Sequence, residues 1–76
     1  MTEMKLIHAD DLQPDQLMIG DLIKIDNDIV EILFIKSDST GDNYEVETEN
    51  EFGEKEITKY AYTDSIQLYV FIDDDD

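Results

Sequence analysis

The sequence has no cysteine, so neither disulfides nor thiolate metal sites can brace the fold. It has one histidine, His8, which rules out a histidine metal cluster and, without a cysteine, the usual serine and cysteine triads. Glycine is scarce, and no glycine-rich phosphate loop is present. No apolar run approaches the roughly 20 residues of a membrane span. Met1 to His8 carries one lysine and lacks the apolar run of a secretory leader, which points to the cytoplasm of its own or a host cell. Arginine is absent, and five lysines stand against 21 acidic residues, for a net charge of −16. Such a surface repels nucleic acid and anionic lipid, so direct nucleic-acid binding and membrane binding are not expected. It favours basic partners, divalent cations or plain solubility. Ten isoleucines and two alanines fit an AT-rich coding sequence better than salt adaptation.

Seventy-six residues make one domain with a thin core, burying only about 60% of the unfolded chain's surface. A catalytic cleft of ordinary size is hard to fit in one copy. With acids this dense, close pairs such as Asp26 and Asp28, or Asp10 and Asp11, arise from composition and mark no acid–base site. The expectation is a protein that is not an enzyme and holds no cofactor.

What is present is strand pattern. Leu17 to Lys36, LMIGDLIKIDNDIVEILFIK, gathers ten aliphatic residues. It predicts a hairpin: Leu22 to Asp26, a primed two-residue turn at Asn27-Asp28, then Ile29 to Lys36. Alternation puts Ile23 and Ile25 on one face of the first strand. The second strand is apolar on both faces, with Val30, Ile32 and Phe34 on one side and Ile29, Leu33 and Ile35 on the other. That fits a bent strand, or one whose second face meets a partner. Ser37 to Asn43 is a loop. Tyr44 to Asn50 alternates, with Tyr44, Val46 and Thr48 facing in and Glu45, Glu47 and Glu49 facing solvent.

Lys55 to Tyr62 is the next strand. Pairing Val46 with Tyr60 and Tyr44 with Tyr62 sets Glu47 against Lys59 and Glu51 against Lys55, across a loop from Phe52 to Glu54. Thr63 to Ser65 suits a turn or one turn of 3₁₀ helix. The last strand, Ile66 to Ile72, points Ile66, Leu68, Val70 and Ile72 inward and Tyr69 and Phe71 outward. The divisions expected are an N-terminal extension over 1–16, contributing an edge strand and a polar connection, a barrel over 17–72, and an acidic tail over 73–76. The fold class is all-β: a small SH3-like five-stranded barrel, or a strongly bent antiparallel sheet that closes only as a dimer.

Ile19 to Asp28, IGDLIKIDND, followed by an apolar strand and a polar glycine-bearing loop, resembles the opening of KOW-like and SH3-like modules. The N-terminal domain of translation elongation factor P is similar, as are small phage-encoded barrel proteins. The resemblance covers about Met18 to Ile72 and implies the barrel fold. Those relatives present basic loops, whereas Ser37 to Asn43 carries Asp38 and Asp42 and no lysine. The resemblance therefore extends to the fold and not to nucleic-acid binding.

Two surfaces are candidates for contact. The acids Glu45, Glu47, Glu49 and Glu51, repeating every ~6.5–7 Å on an extended strand, approach the spacing of phosphates along a nucleic-acid strand. Equally, they suit the solvated face of a small sheet. Tyr69 and Phe71, with Ile29, Leu33 and Ile35 near them, form an apolar outer patch that marks an interface, unless the N-terminal segment covers it. Asp38 to Asn43 offers oxygen ligands but lacks EF-hand spacing and its closing glutamate, so no metal site is expected. The reading is an acidic protein-interaction module that binds a protein partner, basic or a second copy of itself. The alternative is a nucleic-acid mimic that inhibits a basic DNA- or RNA-binding protein.

Overall fold

Residues 4–73 are described by a computed structural model, and the strands follow the chain's alternation closely. β1 spans Met4–Leu12, a 3₁₀ turn Pro14–Gln16, β2 Leu22–Ile25 and β3 Asp28–Ser37. β4 spans Asn43–Glu49, β5 Lys55–Ala61 and β6 Ile66–Asp73. All six strands form one antiparallel sheet in the order β1-β6-β2-β3-β4-β5. β1 and β5 are its edges, so the sheet is bent rather than closed into a barrel. The N-terminal segment supplies the sixth strand, which runs through Leu12 and so takes in part of the segment expected to be a polar connection, Ala9 to Gln16. Of the acidic tail, only Asp73 lies within the described residues, where it ends β6. No described helix is long and apolar enough to cross a membrane.

One face of the sheet holds the core. Ile23, Ile32 and Val46 are fully buried, joined by Leu17, Val30 and Ile66. Leu12, Ile25, Ile35, Tyr60 and Leu68 pack around them. Ile66 and Leu68 thus point inward as their alternation requires, whereas Val70 and Ile72, expected on the same inner face, are exposed because β6 no longer pairs with β2 there. Pro14 starts the 3₁₀ turn that delivers Leu17 to the core. Burial of Tyr60, with Asp64, Asp26 and Glu56 nearby, pushes its phenol pKa up.

Several local details differ from the sequence pattern. The hairpin turn is Asp26-Asn27, with φ of 49° and 71°, so Ile25 faces Asp28 and Ile23 faces Val30. Asp and Asn both tolerate the left-handed region, so either dipeptide suits a primed turn locally. The longer ladder selects between them, because Ile32 N–H donates to the Asp21 carbonyl and Gly20 N–H donates to that of Ile32. In β3, a bulge between Ile32 and Phe34 sets two residues against Glu47. The alternation changes phase there: Phe34 turns out to solvent and Ile35 turns in to the core.

β4 and β5 pair as Tyr44 with Tyr60 and Val46 with Thr58, two residues from the expected register. Tyr62 consequently falls past the strand end and is exposed. The cause is a five-residue loop rather than a three-residue one. The Asn50 side-chain oxygen accepts N–H groups from Phe52 and Glu54, both at 2.9 Å, and Gly53, at φ 79°, turns the chain. The connection from β5 to β6 is a plain turn, clasped by Asp64, whose carboxylate accepts Ala61 N–H at 2.8 Å.

The same device recurs in other connections. Asp21 accepts Met18 N–H, and Asp38 accepts the N–H groups of Thr40 and Gly41, the Thr40 hydroxyl and the Asn43 amide. These hydrogen bonds, led by those from Thr40 and Asn43, lower the Asp38 pKa to about 2. Because the folded value is depressed, its contribution is present above the unfolded pKa, about 4, and is lost as pH falls through the folded one. Nuclear magnetic resonance titration is expected to show Asp38 protonating near pH 2, together with loss of hydrogen-exchange protection at Gly41. An ordinary carboxylate midpoint would remove this role from the loop.

Candidate protein-interaction surface

The face opposite the core is set by one cross-strand row. His8, Tyr69, Leu22, Glu31, Glu49 and Lys55 are successive partners across all six strands. Neighbouring strands lie about 4.8 Å apart, so the row crosses the sheet without a gap. Tyr69 is half-buried and its ring lies 5.6 Å from that of His8, tilted by 37°. The His8 Nε2 in turn lies 2.8 Å from an Asp11 carboxylate oxygen. Two residues on, Phe71 pairs with Leu6 and is 55% exposed.

Leu6 and Phe71 meet Leu22 and Ile29 along a groove of about 310 Å³, with Glu31, Glu49, Asn50 and Glu51 on its margin. A second depression of about 290 Å³ continues it past Leu6 and Ile29 to Asp28 and the exposed Phe52. No lysine lines either one. The sheet's architecture explains the groove. β6 pairs with β2 only at Leu68 and Tyr69, whereas its pairing with β1 runs on from Val70 to Asp73. That end is therefore a two-stranded ribbon, and the protein measures 48 × 24 × 19 Å. Met4, Val70, Phe71 and Ile72 are all exposed on it.

Tyr69 and Phe71 thus lie on the outer face as the alternation requires. Leu33 is half-buried at the bulge, and Ile35 belongs to the core rather than to this patch. Phe34 holds the outward position instead, in a second apolar spot with the exposed Ile57 on either side of Glu47. Ile29 lines the groove with Phe71, as expected, and Leu6 and Leu22 complete it. The signal for Leu22 was an apolar residue on the face that also carries Lys24.

The glutamate row is shorter and less bare than its spacing suggests. Glu51 lies in the loop beyond β4. Glu45 stands between Lys36 and Lys59, and Glu49 has Lys55 on one side and Glu31 on the other. The opposite-charge pairs Glu45–Lys59 and Glu49–Lys55 replace the two expected from the other register, each worth ~0.2–1 kcal/mol.

No protein-family model matches this chain, and no curated protein or solved structure matches it. Among the described residues no group of three or more His, Asp or Glu side chains is placed to hold a metal ion. A larger depression, about 470 Å³, lies elsewhere, beside Lys36, Asp38, Asn43, Glu45 and Lys59. Its Asp38 carboxylate is committed to its own loop.

Proposed function

We propose that this chain is a non-enzymatic, acidic protein-interaction module whose contact surface is the outer face around Tyr69 and Phe71. The observation that carries it is the two-stranded ribbon of β1 and β6, which leaves Phe71 and Met4 in solvent on that face, with Val70 and Ile72 exposed on the ribbon's other face. A lone ribbon of this kind is marginal in water, and an apolar patch on a protein of charge −16 is a contact site rather than a solubility feature. The strand order β6-β2-β3-β4-β5, with β1 added outside β6, supports reading the fold as an opened SH3-like module with one extra strand. The acidic surface steers a partner and limits wrong ones.

The nucleic-acid mimic is the weaker reading, because three of the five lysines stand beside the glutamate row and reduce its charge. Retention of proteins on immobilised chain separates the two, read beside light scattering on the free chain. Phe71→Ser is expected to abolish retention or self-association, whereas Glu45, Glu47 and Glu49 changed together to Gln leave either in place. The reverse pattern establishes mimicry instead. A monomer that retains nothing overturns both.

A further inference from the structure

We infer that the groove between the β1–β6 ribbon and the outer face of β2–β4 takes a lysine- or arginine-bearing polypeptide segment that carries bulky apolar side chains. This rests on the interaction-module reading and adds the place and the partner's chemistry. The floor is apolar, formed by Leu6, Leu22, Ile29 and Phe71. The charged residues lining it are all acidic, Glu31, Glu49 and Glu51 with Asp28 beyond them, and Lys55 stands beside Glu49 alone.

Apolar side chains of the occupant remove the floor from water, at about 25 cal/mol per Å². Cationic side chains reach the carboxylates along the rim. A second copy of this chain fits that rim poorly, because it brings a further charge of −16 to it. Nucleic acid and anionic lipid are repelled for the same reason. The two lysines lining the depression of about 470 Å³ flank Glu45, on a separate part of the sheet. Cationic side chains are therefore directed to the groove and not to that depression.

The probe is a synthetic dodecapeptide with lysines and three leucines at alternate positions. One control replaces its leucines with serine and another replaces its lysines with glutamate. Amide chemical shifts of the isotope-labelled protein are followed at low salt and at about 0.5 M salt, where the Debye length shrinks to ~3–5 Å. The lysine–leucine peptide is expected to shift Leu6, Leu22, Ile29 and Phe71. Its affinity is expected to fall about tenfold or more when the leucines become serine, in the range of one lost anchor side chain. Phe71→Ser, at a position 55% exposed, is expected to produce the same loss, with the amide spectrum of the core strands unchanged. Glu31→Gln with Glu49→Gln is expected to flatten the salt dependence while the leucine preference remains.

Equal binding of the serine control, or shifts centred on the Asp38 loop instead of the groove, overturns the inference as mere charge attraction. Equal binding of the glutamate control overturns the acidic rim's part. Failure of every peptide overturns the basic partner. In that last case, if the wild type still self-associates or retains a protein and Phe71→Ser does not, the interaction-module reading survives without this inference.

Discussion

Ile32→Ala is expected to remove a large share of the protein's stability, about 2–5 kcal/mol. Ile32 is fully inaccessible to solvent at the centre of the sheet, between the β2 end and β4. Truncating a buried isoleucine costs about 2–5 kcal/mol, because transfer free energy is lost and a cavity remains. Folded proteins have ~0.05–0.15 kcal/mol per residue of net stability, which for 76 residues is about 4–11 kcal/mol. Among the described residues six apolar side chains make up the buried cluster, so few neighbours are available to collapse into the hole. One substitution therefore removes a large share of the whole. A circular-dichroism melt should show a midpoint lowered by tens of degrees, at ~4–8 °C per kcal/mol for a domain of this size, or no native baseline. Ile57→Ala, on the same sheet but 63% exposed, should cost no more than about 1 kcal/mol. Comparable losses at the two sites would mean that the core is not where the structure puts it.

Single-residue deletions on the two sides of the β3 bulge should have opposite outcomes. In β3, Leu33 is the extra residue, since Ile32 faces Thr48, Phe34 faces Glu47 and Ile35 faces Val46. Removing it leaves a regular ladder in which Ile32 and Ile35 still point inward and Phe34 outward. The loss is a half-buried side chain and the local twist, about 1–3 kcal/mol, with a cooperative melt retained. Removing Glu47 from β4 is different. Val46 and Thr48, both buried, become adjacent, and adjacent strand residues point to opposite faces. One half of β4 must then turn its apolar side outward, opposite a bulge that is already overlong. No cooperative transition is expected for that variant, and its amide spectrum should collapse. A native-like melt after loss of Glu47 would refute the assigned pairing of β3 with β4.

These variants also separate what was legible in the residues from what was not. The faces of β4 and of the first half of β6 followed from strict alternation, because a strand places successive side chains on opposite sides, but Val70 and Ile72 have no core to face where β6 leaves β2. The outward position of Tyr69 and Phe71, around which the candidate surface is built, was read on that basis. Ile35 could not be placed in the same way, because a bulge changes the phase and leaves no local mark in ILFI. The register of β4 with β5 was equally open. Both offsets keep Val46 inward and both make two glutamate–lysine pairs, so neither pattern nor charge separates them. The Asn50 loop does, through hydrogen bonds that the sequence shows only as an asparagine before a glycine turn. The groove itself joins Leu6, Leu22, Ile29 and Phe71 from four strands, and its existence depends on where β6 parts from β2.

By itself the sequence determined an all-β chain of short strands, the inward and outward sides of most of them, and a surface of strongly negative charge. Those properties are local or additive: alternation has a period of two residues, and charge is a sum. Only the tertiary structure decided that the sheet stays open with β1 and β5 at its edges, that β3 carries a bulge, and that a ribbon projects with its apolar residues exposed. Each of these depends on which distant strands hydrogen-bond and for how many residues. That choice is made by loop geometry and by packing on the opposite strand, and no stretch of the chain contains it alone.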